Sequence, residues 1–218
     1  LIKPSNFKNF ILNNLEEGSI KASLNLSFDD ELKLKKYNID GYFNQISIIQ
    51  SKELRIDNLN LIFSANKETI SLDSISGVMN NILVEKGEIN IDRSKDLEVD
   101  GNLTAKVTFN EHDLARLISE KNNILKNKIN LKANITNKFK LKFDNTLKLI
   151  DYSLNIEGKI NESNIKLSQP LVSTILDQDI NNLFINNSNI KYNFSKKNNN
   201  YLLLKGFYKI NNLEYQKF

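Results

Sequence analysis

The chain has 218 residues, of which 40% are apolar and 26% are charged, and its net charge is +4. This composition indicates a folded chain with a sizeable core, and it excludes a collagen-like or fully disordered protein. The lack of cysteine excludes a disulfide framework and thiolate chemistry. No window of the sequence approaches the ~20 apolar residues that a membrane-spanning helix needs.

The first predicted element is a short helix followed by a strand. PSNFKNFILNNLEEG (4–18) repeats apolar residues at helical spacing up to Leu15, and Gly18 is a suitable helix stop. The sequence then alternates strictly between apolar and polar residues. Its apolar row is made of Ile20, Ala22, Leu24, Leu26 and Phe28.

The same alternation recurs through most of the chain. It is found at 97–109, 129–135, 139–143, 152–156 and 190–194. Asn, Lys, Ser, Thr, Asp and Glu stand between the apolar residues, which is typical of antiparallel strands with one buried face. The sequence therefore predicts a mainly β fold: a long antiparallel, strongly twisted or curled sheet that forms a groove, with about three short amphipathic helices.

The other two predicted helices are short. NEHDLARLISEKNNIL (110–125) has Asn110 as a possible cap and an apolar stripe through Leu114 and Leu117. PLVSTILDQ (170–178) places Pro170 in the first turn. We expect each helix to pack on the sheet as a crossover or a cover.

Glycine occupies the apolar row where a large side chain would be expected. Gly101 does so in LEVDGNLTAKVTF, and YNIDGYF (37–43) and LNIEGKI (154–160) share its pattern. Gly87 and Gly206 lie in a similar phase. Glycines on one side would let a sheet coil strongly. We also predict two repeats, a first helix with a β-meander at 1–109 and a crossover helix with a second β-meander at 110–218. A start at Leu1 rather than Met suggests one continuous fragment of a longer chain.

The sequence contains no pattern typical of a catalytic site. The single histidine, His112, stands between Glu111 and Asp113, but adjacent helical residues do not converge on one point. No cysteine or second histidine could complete a metal site, and no Gly-rich phosphate loop is present. The lysines are scattered along strand faces, as in KINLKANITNKFKLKF, whereas nucleic-acid binders cluster them. We predict no enzymatic activity, no cofactor, no metal and no nucleic-acid partner.

Two stretches resemble a known family. NFILNNLEEGSIKASLNLSF resembles the segment that opens repeats in the AsmA-like superfamily of bacterial envelope proteins. ISLDSISGVMNNILVEKGEINI, followed by LEVDGNLTAKVTF, is similar to the YhdP-type region of that superfamily. The resemblance implies a periplasmic β-sheet groove in an inner-membrane-anchored protein that conducts phospholipid and supports outer-membrane homeostasis. Its partners would be phospholipid or another acyl lipid, and other envelope proteins.

Two functional hypotheses follow, because a sheet with one apolar face must bury that face against something. In the first, the chain is a non-catalytic lipid-binding and lipid-conducting groove module. Its predicted lining residues are Val99, Gly101, Leu103, Ala105, Val107, Phe109, Leu154, Ile156, Gly158 and Ile160. In the alternative, the chain is a closed β-sandwich, a structural or adhesin-like module whose apolar rows pack against each other.

Overall fold

The computed structural model describes residues 14–49, 55–110, 128–172, 179–197 and 199–218. Strands account for 82% of these residues. The strands are Leu15–Phe28 (β1), Leu34–Ile49 (β2), Arg55–Asn66 (β3), Thr69–Met79 (β4), Ile82–Asp92 (β5), Leu97–Phe109 (β6), Lys128–Phe143 (β7), Leu149–Leu171 (β8), Ile180–Ser195 (β9), Tyr201–Ile210 (β10) and Gln216–Lys217 (β11).

The strands form one open antiparallel sheet in which sequence order and spatial order are the same, from β1 to β11. Neighbouring rows are in register on one face: Ala22 of β1 pairs with Gly41 of β2, which pairs with Phe63 of β3. Alternating sequences joined by short turns favour this meander, since each strand can pair with the next one. The predicted mainly β antiparallel fold is confirmed.

The expected helices are not borne out, because the part of the chain that the structure describes contains no helix. Leu15 and Glu17, predicted to end the first helix, belong to β1 and pair with β2. Pro170 lies in β8, where the register shifts between Lys166 and Leu171. Pairing with a neighbouring strand overrides local helical spacing at these ends. Residues 1–13, 111–127 and 173–178, which carry the rest of the three predicted helices and His112, lie outside the described residues.

The chain divides into two compact units. The first comprises Leu1–Leu103 and Lys138–Tyr152, and the second comprises Thr104–Asn137 and Ser153–Phe218. These units are groups of mutually contacting residues, so the two repeats predicted at 1–109 and 110–218 stay a prediction.

Each unit has its own small core. In the first unit Ile46, Leu61 and Ile75 are buried, one from each of β2, β3 and β4. In the second, Ala133, Ile160 and Ile185 form a buried cluster that spans β7, β8 and β9. Leu131, Ile135, Leu183, Ile190 and Leu204 pack around that cluster. Burial of these aliphatic side chains is the main stabilising contribution that the sheet face offers.

β-Bulges keep the apolar rows on one face along the length of the strands. In β2 the row runs through Phe43 and resumes at Ile46, where the register with β3 shifts and Gln45 has a φ of +52°. In β4 the row runs through Leu72 and resumes at Ile75, with Ser74 at a φ of +53°. An extra residue restores the face that a one-residue slip would otherwise reverse.

Two hairpin turns share one construction. Between β1 and β2, the Asp29 carboxylate accepts hydrogen bonds from the backbone N–H groups of Glu31 and Lys33. Between β7 and β8, Asp144 accepts them from Thr146 and Lys148. Each aspartate directly follows its strand, so its side chain satisfies backbone donors of the turn. The same turn construction therefore recurs in these two hairpins.

Candidate ligand-binding surfaces

The predicted lining residues lie on two strands that are not neighbours, since β7 stands between β6 and β8. On β6 the row alternates as predicted: Ala105 and Val107 are 6% and 5% exposed, whereas Lys106 and Thr108 are exposed. Val99, Leu103 and Phe109 belong to the same row and are half-buried, and Gly101 is buried. Val99, Gly101 and Leu103 belong to the first unit and the other seven predicted lining residues to the second.

The gap at Gly101 is filled by a side chain of the next strand. A Cβ atom placed on Gly101 would lie 2.5 Å from Cζ of Phe139. The same happens at Gly41, where a Cβ would lie 2.6 Å from Cζ of Phe63, its register partner. At Gly87 the occupant is the Cδ2 methyl of Leu103. These glycines therefore accommodate large neighbours and leave no empty space beside them for a ligand.

Gly206 is required for a different reason, because a buried hydroxyl faces it. The register between β9 and β10 shifts at this glycine, and Asn187 on β9 has a φ of +46°. The Ser188 hydroxyl donates to the Asn186 carbonyl at 2.9 Å and accepts from the Phe207 N–H at 3.1 Å. Ser188 is completely buried, and a Cβ on Gly206 would collide with it. The bulge thus replaces ladder hydrogen bonds with side-chain ones.

The predicted lining residues of β8 belong to the second unit's core or its border. Ile160 is 6% exposed and packs in the cluster with Ala133 and Ile185. Leu154 and Ile156 are half-buried and pair with Phe194 and Tyr192 of β9, whose rings stack at 6.2 Å. A Cβ on Gly158 would meet the backbone of Asn134 and Ile135 on β7. On β8, therefore, these residues are half-buried or buried rather than freely exposed.

The most exposed apolar surface of the first unit is the row on β1, which we call the edge row: Ile20, Ala22, Leu24, Leu26 and Phe28. Leu24 is 57% exposed and Phe28 is 52% exposed, although they share the face of the buried rows. β1 is the first strand in the sheet order, so its side chains have a neighbouring strand on one side only. The alternation in the sequence predicts this apolar row. Its exposure, which makes it available to a ligand, follows only from the position of β1 at the edge of the sheet.

The opposite face is polar, and several of its lysines pair with carboxylates. Lys142 contacts Asp96 at 2.9 Å and Glu98 at 2.8 Å. The hydrogen bonds that the Lys142 ammonium donates to Glu98 and to Asp96 raise the pKa of Lys142 well above its usual value. On the second unit, Lys132 pairs with Glu162 at 3.1 Å. Further pairing joins Lys191 to Glu157. Opposite charges directly across strands stabilise a solvated sheet face.

Sequence reasoning missed a polar pocket at one end of the second unit, which we call the asparagine pocket. Its volume is about 390 Å³, and it is lined by Asn181, Asn182, Asn211, Asn212 and Leu213. These residues come from two copies of the tetrapeptide INNL, at 180–183 and 210–213. That repeated tetrapeptide is the sequence signal that could have indicated the site, although only pairing of β9 with β10 brings its copies together.

Comparisons with known proteins give no relative: no protein-family model, curated protein or solved structure matches the chain. In the described ranges, no helix has the length and apolar character needed to cross a bilayer. Over the same residues, no group of three or more histidine, cysteine, aspartate or glutamate side chains could hold a metal ion. The resemblance to the AsmA-like superfamily therefore stays a prediction.

Proposed function

We propose that the chain is a non-catalytic lipid-binding module whose apolar sheet face holds acyl chains. The exposed edge row carries this proposal, because five consecutive apolar positions on one face remain open to a ligand. Isolated exposed apolar residues are common on proteins, but a contiguous row marks an interaction site.

The dimensions of the edge row support an acyl ligand. From Ile20 to Phe28 the strand rises over about 26 Å, at ~3.3 Å per residue. One leaflet of a bilayer contributes about half of the ~30 Å hydrocarbon core, so an extended acyl chain fits along the row. The row contains no charge, while Lys21 lies on the other face of β1. An acyl chain therefore meets an apolar surface along its whole length.

The wider role belongs to the same proposal. We infer from the resemblance that the module is a periplasmic part of an inner-membrane-anchored protein, and that it conducts phospholipid toward the outer membrane. Within the first unit, the half-buried side chains of Val99 and Leu103 on β6 offer further apolar surface to such a lipid. The partners in this proposal are phospholipid or another acyl lipid, with other envelope proteins.

Site-specific photocrosslinking tests lipid contact directly. A photoreactive amino acid at Leu24 should crosslink to phospholipid during expression or in mixed micelles. The same amino acid at Ser23, its neighbour on the opposite face and also exposed, is the matched control. Crosslinking at position 24 but not at position 23 supports the proposal.

Equal crosslinking at both positions would indicate non-specific detergent-like binding and would overturn the proposal. Native mass spectrometry of the purified chain gives a second readout, in which co-purified lipid should appear as an added mass. A protein with no bound lipid, no uptake of an apolar dye and no crosslink at Leu24 would overturn the proposal and favour a structural or adhesin-like role for the open sheet.

A further inference from the structure

We propose that the asparagine pocket is a carbohydrate-binding site, separate from the apolar face. The pocket lies where the start of β9 meets the turn after β10. Its volume of about 390 Å³ lies within the ~300–1,000 Å³ that is typical of small-ligand sites. A monosaccharide or one unit of a longer glycan is of suitable size.

The frame of the pocket is fixed by one asparagine. The Asn211 side-chain oxygen accepts hydrogen bonds from the backbone N–H groups of Asn181 and Asn182, at 2.9 Å and 3.0 Å. Its amide nitrogen donates to the Asp179 carbonyl at 2.8 Å. Asn211 also has a φ of +49°, a conformation that asparagine tolerates better than most residues. With these bonds Asn211 holds β9 and the turn together.

Two other amides are left for a ligand. In the part of the chain that the structure describes, the side chains of Asn182 and Asn212 make no hydrogen bond to the protein. Each amide offers a carbonyl acceptor beside two N–H donors. A sugar hydroxyl is both donor and acceptor, so it matches an amide better than an anion or a cation does. The lining contains no charged side chain, which favours a neutral ligand.

One apolar side chain, Leu213, lines the pocket together with the amides. Leu213 is 40% exposed and Tyr215 is 49% exposed, just after the turn. The Lys209 ammonium lies 4.6 Å from the ring centre of Phe184 and 5.3 Å from that of Tyr215. Two aromatic rings therefore engage the Lys209 ammonium. The exposed Leu213 side chain, which lines the pocket, offers an apolar surface for the C–H face of a sugar ring.

Titration of the ¹⁵N-labelled chain with defined probes tests the site. The probes are N-acetylglucosamine, galactose, their short oligosaccharides and inorganic phosphate. We expect a saccharide to shift the side-chain NH₂ signals of Asn182 and Asn212, while phosphate leaves them unchanged. The double variant Asn182→Ala/Asn212→Ala should weaken saccharide binding at least about tenfold, since each ligand hydrogen bond is lost. Asn189→Ala, an exposed asparagine elsewhere on β9, is the matched control and should bind like the wild type.

A second variant distinguishes loss of binding from loss of the fold. Asn182→Asp keeps the shape of the side chain but replaces two donors with a charge, and it should also weaken binding while leaving the backbone spectrum intact. Binding of phosphate in preference to every saccharide would overturn the proposal. So would saccharide binding that survives both pocket variants, or the absence of any shift at Asn182 and Asn212 with all the probes.

Discussion

In the first unit the ring of Phe139 on β7 lies over Gly101 on β6, with Cζ at 2.5 Å from where a Cβ of residue 101 would stand. An aromatic side chain above a glycine on the neighbouring strand buries both the ring face and the bare backbone. The glycine is thus the complement of Phe139 and not a packing defect. Gly41 on β2 and Phe63 on β3 show the same arrangement.

The variant Gly101→Val should therefore destabilise the protein. The two methyl groups and Cβ would displace the Phe139 ring, and overpacking of this kind costs about 1–3 kcal/mol. Urea unfolding followed by circular dichroism measures the loss. Thr108→Val is the control, because it places the same side chain on the exposed face of β6 and keeps the shape of threonine.

Adding Phe139→Ala to Gly101→Val should relieve part of the clash. We expect the double variant to be less destabilised than the sum of the two single variants, which indicates direct coupling between the residues. Strict additivity, or a Gly101→Val protein as stable as the wild type, would contradict the role assigned to the pair.

The sequence predicts the sheet well because alternation is a local property, and β6 shows it in its burial from Leu97 to Gly101 and again from Ala105 to Phe109. What covers Gly101 could not be predicted, since Phe139 reaches it only through the pairing of β6 with β7. The helix predicted to end at Gly18 was wrong at Leu15–Glu17 because pairing with β2 outweighs local spacing. The bulge at Gln45 coincides with a change of phase in the apolar alternation, which runs to Phe43 and resumes at Ile46.

The two candidate surfaces also differ in how much of each can be predicted from the sequence. The alternation from Ile20 to Phe28 predicts the edge row, but only the strand order shows that this row lies at the edge of the sheet. The asparagine pocket depends on the pairing of two distant INNL segments, so no local pattern could assign it. In a chain as rich in asparagine as this one, doublets such as Asn181–Asn182 carry little information alone.

Removal of one buried hydroxyl should weaken the second unit. Ser188→Ala leaves the Phe207 N–H and the Asn186 carbonyl without the hydroxyl that satisfies them. An unsatisfied buried polar group costs about 1–3 kcal/mol, and we expect a loss of stability in that range. Ser23→Ala, an exposed strand serine on β1, should change stability little. Equal effects of the two variants in urea unfolding would show that the bulge does not depend on Ser188.

The pair Arg55–Asp57 should add a small acid-dependent contribution to stability. A hydrogen bond from Arg55 to the carboxylate lowers the pKa of Asp57 below its ordinary value of 3.8, and a hydrogen bond from Ser47 adds to the effect. A lowered pKa in the folded state means that the contribution is present near neutral pH. It is lost as the pH falls through the folded-state pKa.

The measurement is the urea midpoint near neutral pH and at about pH 3. Wild type should lose more stability between these conditions than Asp57→Asn or Arg55→Gln, each of which removes the interaction. The difference should be small, since the two side chains are 33% and 47% exposed and screened by solvent. Identical losses in all three proteins would show that the pair contributes nothing that depends on pH.

The turn between β7 and β8 offers a stabilising substitution. Leu147 has a φ of +61° and is 69% exposed, so its side chain gains little burial in a conformation that suits asparagine or glycine. We expect Leu147→Asn to raise the free energy of unfolding by roughly 1 kcal/mol, because a non-glycine residue in the left-handed region costs about that much. Leu32 stands at the same place in the matching turn after Asp29, with a φ of +59°, so Leu32→Asn should stabilise by a similar amount.

The control is Leu149→Asn, an exposed leucine in β8 that lies outside the turn, which should not stabilise. If the two turn variants melt no higher than the wild type, relief of the left-handed backbone is not what limits these hairpins.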